Sequence, residues 1–142
     1  MGKSGHKKII LAEPRGFCAG VRRALETVEQ ALKAHGAPVF VLHEIVHNRH
    51  VVEGLRDRGV IFIEDVKGCP KDRPLIFSAH GVSAAVEKEA LDLGLKCIDA
   101  TCPLVKKIHR ETEKYSRMGC KIIIIGHSRH PEVVGVRGHA SG

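Results

Sequence analysis

Cysteine and histidine recur in this chain where both can do more than fill space. Cys18 stands in Pro14-Arg15-Gly16-Phe17-Cys18-Ala19-Gly20-Val21, between an apolar run at 8–12 and a helical pattern at 21–34. A cysteine held by glycines where a strand hands over to a helix meets the unpaired N–H groups of the first helical turn. These favour thiolate over thiol, so the side chain is primed as a nucleophile or metal ligand. Taken alone, it reads equally well as a small buried apolar group. Cys102, in Lys96-Cys97-Ile98-Asp99-Ala100-Thr101-Cys102-Pro103, repeats the layout, with proline suited to the first helical turn. His43 follows Cys18 by 25 residues and His127 follows Cys102 by 25; His47 and His130 follow the same cysteines by 29 and 28. The whole order of cysteine, helix, glycine (Gly36 or Gly119), strand and paired histidines returns, which reads as an internal structural repeat.

His47, His80 and His130 each come shortly after a predicted strand. An imidazole donates one hydrogen bond when neutral and two when protonated, so three at strand ends suit phosphate oxygens or a metal. Glu132 adds a carboxylate beside them. His43 and His127 lie nearer their strands and read equally as orienting groups, while His6, His35, His50, His109 and His139 read as ordinary surface polarity. Thiolates on separate loops suit iron–sulfur or zinc, but no Cys-x2-Cys pair of a zinc ribbon is present. The gap from Cys97 to Cys102 matches only the first step of a plant-type ferredoxin pattern. Cys69, Cys97 and Cys120 are read as structural: one in a turn, one inside a strand, and one leading into the apolar Ile122-Ile123-Ile124-Ile125.

The elements that must position these groups alternate. Strands are predicted at 8–12, 39–42, 60–63, 75–78, 96–99 and 121–125, and helices at 21–34, 49–58 (capped by Asn48), 83–93 and 103–118, with another opening at 130–135. Residues 64–73 read as a polar loop. Such alternation means α/β, a parallel sheet flanked by helices. The loops at the carboxyl ends of parallel strands converge on one edge, so the cysteines, histidines and Glu132 are expected to face a single cavity. Residues 1–7 read as a disordered tail, 8–99 as one complete α/β lobe, and 100–142 as the truncated beginning of a second, similar lobe.

The 142 residues carry a formal charge of +7, and the last third holds most of the excess: 8 Lys/Arg against 3 Asp/Glu from 100 onward, compared with 15 against 13 before it. A basic helix with Lys106, Lys107, Arg110, Lys114 and Arg117 suits an anionic substrate, an acidic partner or a polyanion, although the interleaved Glu111 and Glu113 read first as a solvated face. Four Phe, one Tyr and no Trp offer few platforms for stacking bases, which argues against nucleic acid. No apolar run approaches the roughly 20 residues of a membrane span. Met1-Gly2 looks like a myristoylation start, but His6 stands where Ser or Thr is required. Five cysteines without a secretory leader point to a reducing compartment, and the expected location is cytoplasmic, or a plastid in a photosynthetic eukaryote.

Five ordered motifs together resemble the 4-hydroxy-3-methylbut-2-enyl diphosphate reductase family: the Cys18 segment, His43-Glu44-Ile45-Val46-His47-Asn48, Phe77-Ser78-Ala79-His80-Gly81-Val82, Asp99-Ala100-Thr101-Cys102-Pro103-Leu104-Val105, and Gly126-His127 with His130-Pro131-Glu132. The resemblance implies a three-lobed fold around a 4Fe-4S cluster held by three cysteines, with an open iron for the substrate hydroxyl. It also implies reductive dehydroxylation of an allylic diphosphate to isopentenyl and dimethylallyl diphosphates, fed by a ferredoxin- or flavodoxin-type electron donor. By the same resemblance Cys18 and Cys102 are cluster ligands, and the third cysteine is missing from this chain. His47, His80 and His130 bind the diphosphate, Glu132 relays protons, and His130 shares in proton delivery. The chain is then expected to be an N-terminal part, inactive by itself. The alternatives are a diphosphate- or metal-binding module without redox chemistry and, on charge alone, a basic RNA-associated protein.

Overall fold

The computed structural model describes residues 8–140, so the tail expected at 1–7 lies outside the described residues. Helix α1 (Ala19–His35) leads into strand β1 (Val39–Leu42), followed by α2 (Arg49–Arg56), β2 (Val60–Ile63), β3 (Pro74–Phe77), α3 (Ala84–Asp92), β4 (Lys96–Asp99), α4 (Pro103–Arg117) and α5 (Pro131–Gly138). The strands pair in the order β2-β1-β3-β4, all parallel. β1 and β3 lie at the centre and are buried throughout, as expected of strands covered on both faces. One face of the sheet packs Ala24, Val28 and Ala31 of α1 with Leu55 of α2; the other packs Ala90 of α3 with Val66 and Leu95. The stretch read as a polar loop at 64–73 thus contributes buried Val66 and Cys69, anchored by a single 3-10 turn, Val66–Gly68.

Local sequence accounts for the helix starts. The Asn48 side chain accepts from the Val51 N–H, Ser83 accepts from Val86, and Pro103 and Pro131 occupy the first turns of α4 and α5. α2 follows β1 and α3 follows β3, and they cover opposite faces. The strand order therefore reverses between β1 and β3, which opens a crevice at their carboxyl ends.

Two expected strands do not form. Residues 8–12 belong to no strand, with Ile9, Ile10 and Leu11 at 88%, 76% and 69% exposure, so this run is not the buried strand expected of it. Residues 121–125 are likewise unpaired, with Ile123 and Ile125 at 86% and 96% exposure. The physical reason is the same in both cases. Apolar β-branched composition makes a run able to be a strand, but a strand exists only where a neighbour offers a ladder of N–H and C=O groups. The segment at 121–125 still alternates, with Ile122 and Ile124 half-buried toward α4 and α5 and Ile123 and Ile125 turned outward.

Candidate functional site

The loops at the carboxyl edge are tied to one another. His43 turns the chain after β1 with a φ of 58°, in the left-handed region, while its N–H stays bound to the Ile63 carbonyl at 2.8 Å. That turn brings the Ile45 carbonyl to the Ala79 N–H at 3.3 Å, joining the loop after β1 to the loop after β3. The Ala79 carbonyl in turn accepts from the Cys102 N–H at 3.0 Å, and Ala100 N–H donates to Phe77 at 3.1 Å. Asp99 accepts from the Thr101 N–H at 2.8 Å and pairs with Lys106; burial raises its pKa, but these contacts outweigh it and hold the carboxyl below its ordinary value. Three loops therefore behave as one platform, which fixes where their side chains meet.

His47, His80 and His130 come together on that platform. The His47 and His80 rings stack with centroids 4.2 Å apart, and the His130 ring meets them edge-on at 5.2 and 6.2 Å. His80 is the buried member, its side chain 9% exposed. Its Nδ1 faces the Glu132 carboxylate at 3.4 Å, and its Nε2 is buried without a partner. A buried polar atom lacking a partner is costly unless a ligand supplies one. Burial pushes the His80 pKa down, against the opposing pull of Glu132, so the free ring is held toward its neutral form. The His130 Nδ1 accepts from the Glu132 N–H at 3.3 Å, capping α5, while the His127 carbonyl accepts from the His130 N–H at 2.9 Å. His127 thus contributes its backbone. His43 points away, toward Glu64 at 2.9 Å. His43 and Glu64 instead line a cavity whose wall also includes Gly81, Ser83, Pro131 and Arg129, the last of which sequence reasoning did not single out.

Cys18 and Cys102 are the N-cap residues of α1 and α4, and neither side chain is spent on a capping hydrogen bond. Both helices therefore present unpaired N–H groups beside a sulfur, an environment suited to an anionic group. Gly20 brings the two together. A Cβ added there would stand 2.6 Å from the Cys102 Sγ and 3.9 Å from the Cys18 Sγ, so the sulfurs are neighbours across a space that any side chain at 20 would fill. The other cysteines stand apart. Cys69 and Cys97 belong to the apolar cluster with Val66 and Ala90; burial pushes the Cys69 thiol up to about 11 and raises Cys97 as well. Cys120 is exposed beyond the end of α4. Among the described residues no group of three or more His, Cys, Asp or Glu side chains is arranged to hold a metal ion. Two neighbouring thiols at helix N-termini, with no side chain at Gly20 between them, are donors of the kind that suit a soft metal group.

His109 and His139 correct the sequence reading of surface polarity: the first is 6% exposed, the side chain of the second 7%, and their rings stack at 4.2 Å. No sequence signal marks them, because their burial depends on how α5 packs against α4. The basic face of α4 is largely paired internally, with Lys106 on Asp99, Lys107 on Glu111 at 3.8 Å and Arg117 on Glu113 at 3.0 Å.

The fold is a parallel α/β sheet whose strand order reverses between β1 and β3, with three histidines gathered at its carboxyl edge and two neighbouring cysteines at the N-cap positions of α1 and α4. Comparison with known proteins gives the family. The model of the LytB protein family matches residues 9–142, and the chain belongs to that family. It is 59% identical over 144 residues to the 4-hydroxy-3-methylbut-2-enyl diphosphate reductase of Desulfotalea psychrophila, covering 100% of this chain and 46% of that protein. It is 60% identical over 134 residues to the reductase of the same name from Haemophilus influenzae, covering 94% and 43%. The solved structure of the Plasmodium falciparum reductase superposes with a TM-score of 0.86 at 46% identity, covering 90% of this chain and 40% of that one. A second structure, titled as the terminal enzyme of the non-mevalonate pathway, gives 0.78 at 37% identity, covering 92% and 46%. The chain thus spans less than half the length of the relatives it matches. Among the described residues no helix is long and apolar enough to cross a membrane.

Proposed function

We propose that this chain contributes the diphosphate-binding histidines and two cluster cysteines of a 4-hydroxy-3-methylbut-2-enyl diphosphate reductase, one α/β lobe at 8–99 and the opening of a second at 100–142. The observation that carries the reading is the convergence of His47, His80 and His130 around a buried, unpartnered His80 Nε2. In this reading Cys18 and Cys102 would hold an iron–sulfur cluster, which would pass on two electrons from the donor, one at a time, and offer a Lewis-acid iron for the substrate hydroxyl. The chain's own residues bind and protonate. The three imidazoles grip the phosphate oxygens and align the allylic alcohol, while the Glu132 carboxylate, backed by His130, hands on two protons, one that lets the hydroxyl leave as water and one that ends on the allylic carbon. A ferredoxin- or flavodoxin-type donor and a cytoplasmic or plastid location belong to the same proposal. A diphosphate module without redox chemistry would share the histidines but has no use for paired cysteines left free of capping duty.

Inorganic pyrophosphate tests the site without the cluster. His80 is held toward its neutral form in the free protein, and with Nδ1 donating to Glu132 a phosphate oxygen at Nε2 requires a second N–H, so binding should take up a proton. Calorimetry in two buffers of different ionisation enthalpy is expected to show proton uptake near neutral pH, with affinity falling as pH rises. His80→Gln should weaken binding about tenfold or more, the loss of one charge-assisted bond worth about 1.5–3 kcal/mol. Binding without proton uptake and indifferent to His80→Gln would overturn the assignment.

A further inference from the structure

Helix α5 carries His130 and Glu132 at its start, yet it has eight residues and buries only Gly135. A helix this short does not hold its own position in water. Its far end is fixed by His139, the residue that closes it. The His139 Nδ1 lies 2.7 Å from the Glu113 Oε1, and the Nε2 lies 3.1 Å from the Val82 carbonyl oxygen. The carboxylate and the carbonyl are both acceptors, so the ring bridges an acceptor on α4 and an acceptor in the loop before α3. We infer that His139, its buried ring held between Glu113 of α4 and Val82 in the loop before α3, is the positioning residue that sets α5 and so places His130 and Glu132 beside His47 and His80. What the placed residues do rests on the function proposed above; the clamp itself does not.

The surroundings agree. The stacked neighbour His109 is kept toward its neutral form, first by burial and then by the neighbouring His139 ring. Glu113 is held below its ordinary value, chiefly by its hydrogen bond to His139, and Arg117 binds its other oxygen at 3.0 Å. From the remaining elements, Glu87 of α3, Asp99 at the end of β4, and Lys106 and Arg110 of α4 line the same cavity, with Asp99 and Lys106 paired to each other. Arg137 lies on α5 itself. The contact face of α5 is made of glycine: a Cβ at Gly135 would stand 3.1 Å from the His109 Nε2, and one at Gly138 would overlap Ser83. The clamp thus acts at close approach, where loss of one hydrogen bond tilts the helix rather than being absorbed by soft side chains.

The clamp has an acid edge. Glu113 has a depressed pKa, so its contribution is present above the ordinary carboxylate range and lost as pH falls through the depressed value. The test is amide exchange and pyrophosphate binding of the 142-residue chain. Exchange of α5, corrected for intrinsic rate, should accelerate as pH falls through the depressed Glu113 value, and Glu113→Gln should remove that dependence. His139→Gln should speed α5 exchange at least tenfold and weaken pyrophosphate binding. Protection of α5 unchanged by His139→Gln, or indifferent both to acid and to Glu113→Gln, overturns the inference. So does pyrophosphate binding unchanged by His139→Gln. If pyrophosphate fails to bind while the helix behaves as stated, the proposed function falls and the clamp stands.

Discussion

Replacing Cys18 or Cys102 by serine is expected to abolish the visible absorbance of an anaerobically reconstituted iron–sulfur cluster in a chain of the relatives' full length, whereas Cys69→Ser and Cys120→Ser leave it intact. The four thiols differ in what surrounds them. Cys18 and Cys102 sit at helix N-termini with sulfurs free of capping bonds and share the space left at Gly20. Cys69 is buried, its thiol pushed up to about 11, and so offers little thiolate to iron at neutral pH. Cys120 is exposed and away from the platform of loops. Gly20→Val should act like the cysteine changes without removing a sulfur, because even its Cβ would stand 2.6 Å from the Cys102 Sγ. Iron and acid-labile sulfide measured in parallel check all five variants, and equal content across them would sink the assignment.

The second large effect concerns the chain as it stands. After anaerobic reconstitution, the 142-residue protein is expected to reduce the hydroxylated diphosphate at far less than a tenth of the rate of a full-length relative such as that of Desulfotalea psychrophila. A cubane cluster needs three or four thiolates, and two leave at least one further iron to exogenous ligands. The three-histidine site is open: His47 is 52% exposed and Glu132 51%. Water there screens contacts that gain strength only when it is excluded. Assays with a chemical reductant decide the matter. Turnover within about tenfold, a difference near 1.4 kcal/mol in the barrier, would mean that two thiolates and an open pocket suffice.

What could be read from the sequence followed physical locality. Caps at Asn48, Ser83 and Pro103 act within a turn of their own helix, so α2, α3 and α4 start within a residue of where expected. The meeting of His47 and His80 was also legible, because they follow β1 and β3, whose carboxyl ends share one edge, whereas His130 reaches them from the start of α5 although the strand expected before it does not form. Residues 8–12 and 121–125 misled because side-chain pattern says which runs can pair and not whether a partner is present. His109 and His139 were invisible for a related reason. Their burial comes from two helices meeting after a turn at 126–130, and no periodicity in either helix encodes that encounter.

The bare tetra-isoleucine at 122–125 bears on how the protein is made. The four parallel strands lie between residues 39 and 99, so the sheet has all its partners as soon as that stretch leaves the ribosome, and domains generally fold as units during synthesis. The isoleucines emerge afterwards, keep the alternation of a strand, and offer an unpaired edge to any neighbouring chain. An exposed, uncharged run of β-branched residues is the kind of segment that seeds aggregation. Lysine at positions 123 and 125, the two outward-facing residues, should therefore raise the soluble yield of this chain on expression, and an unchanged partition between supernatant and pellet would show that the edge is harmless.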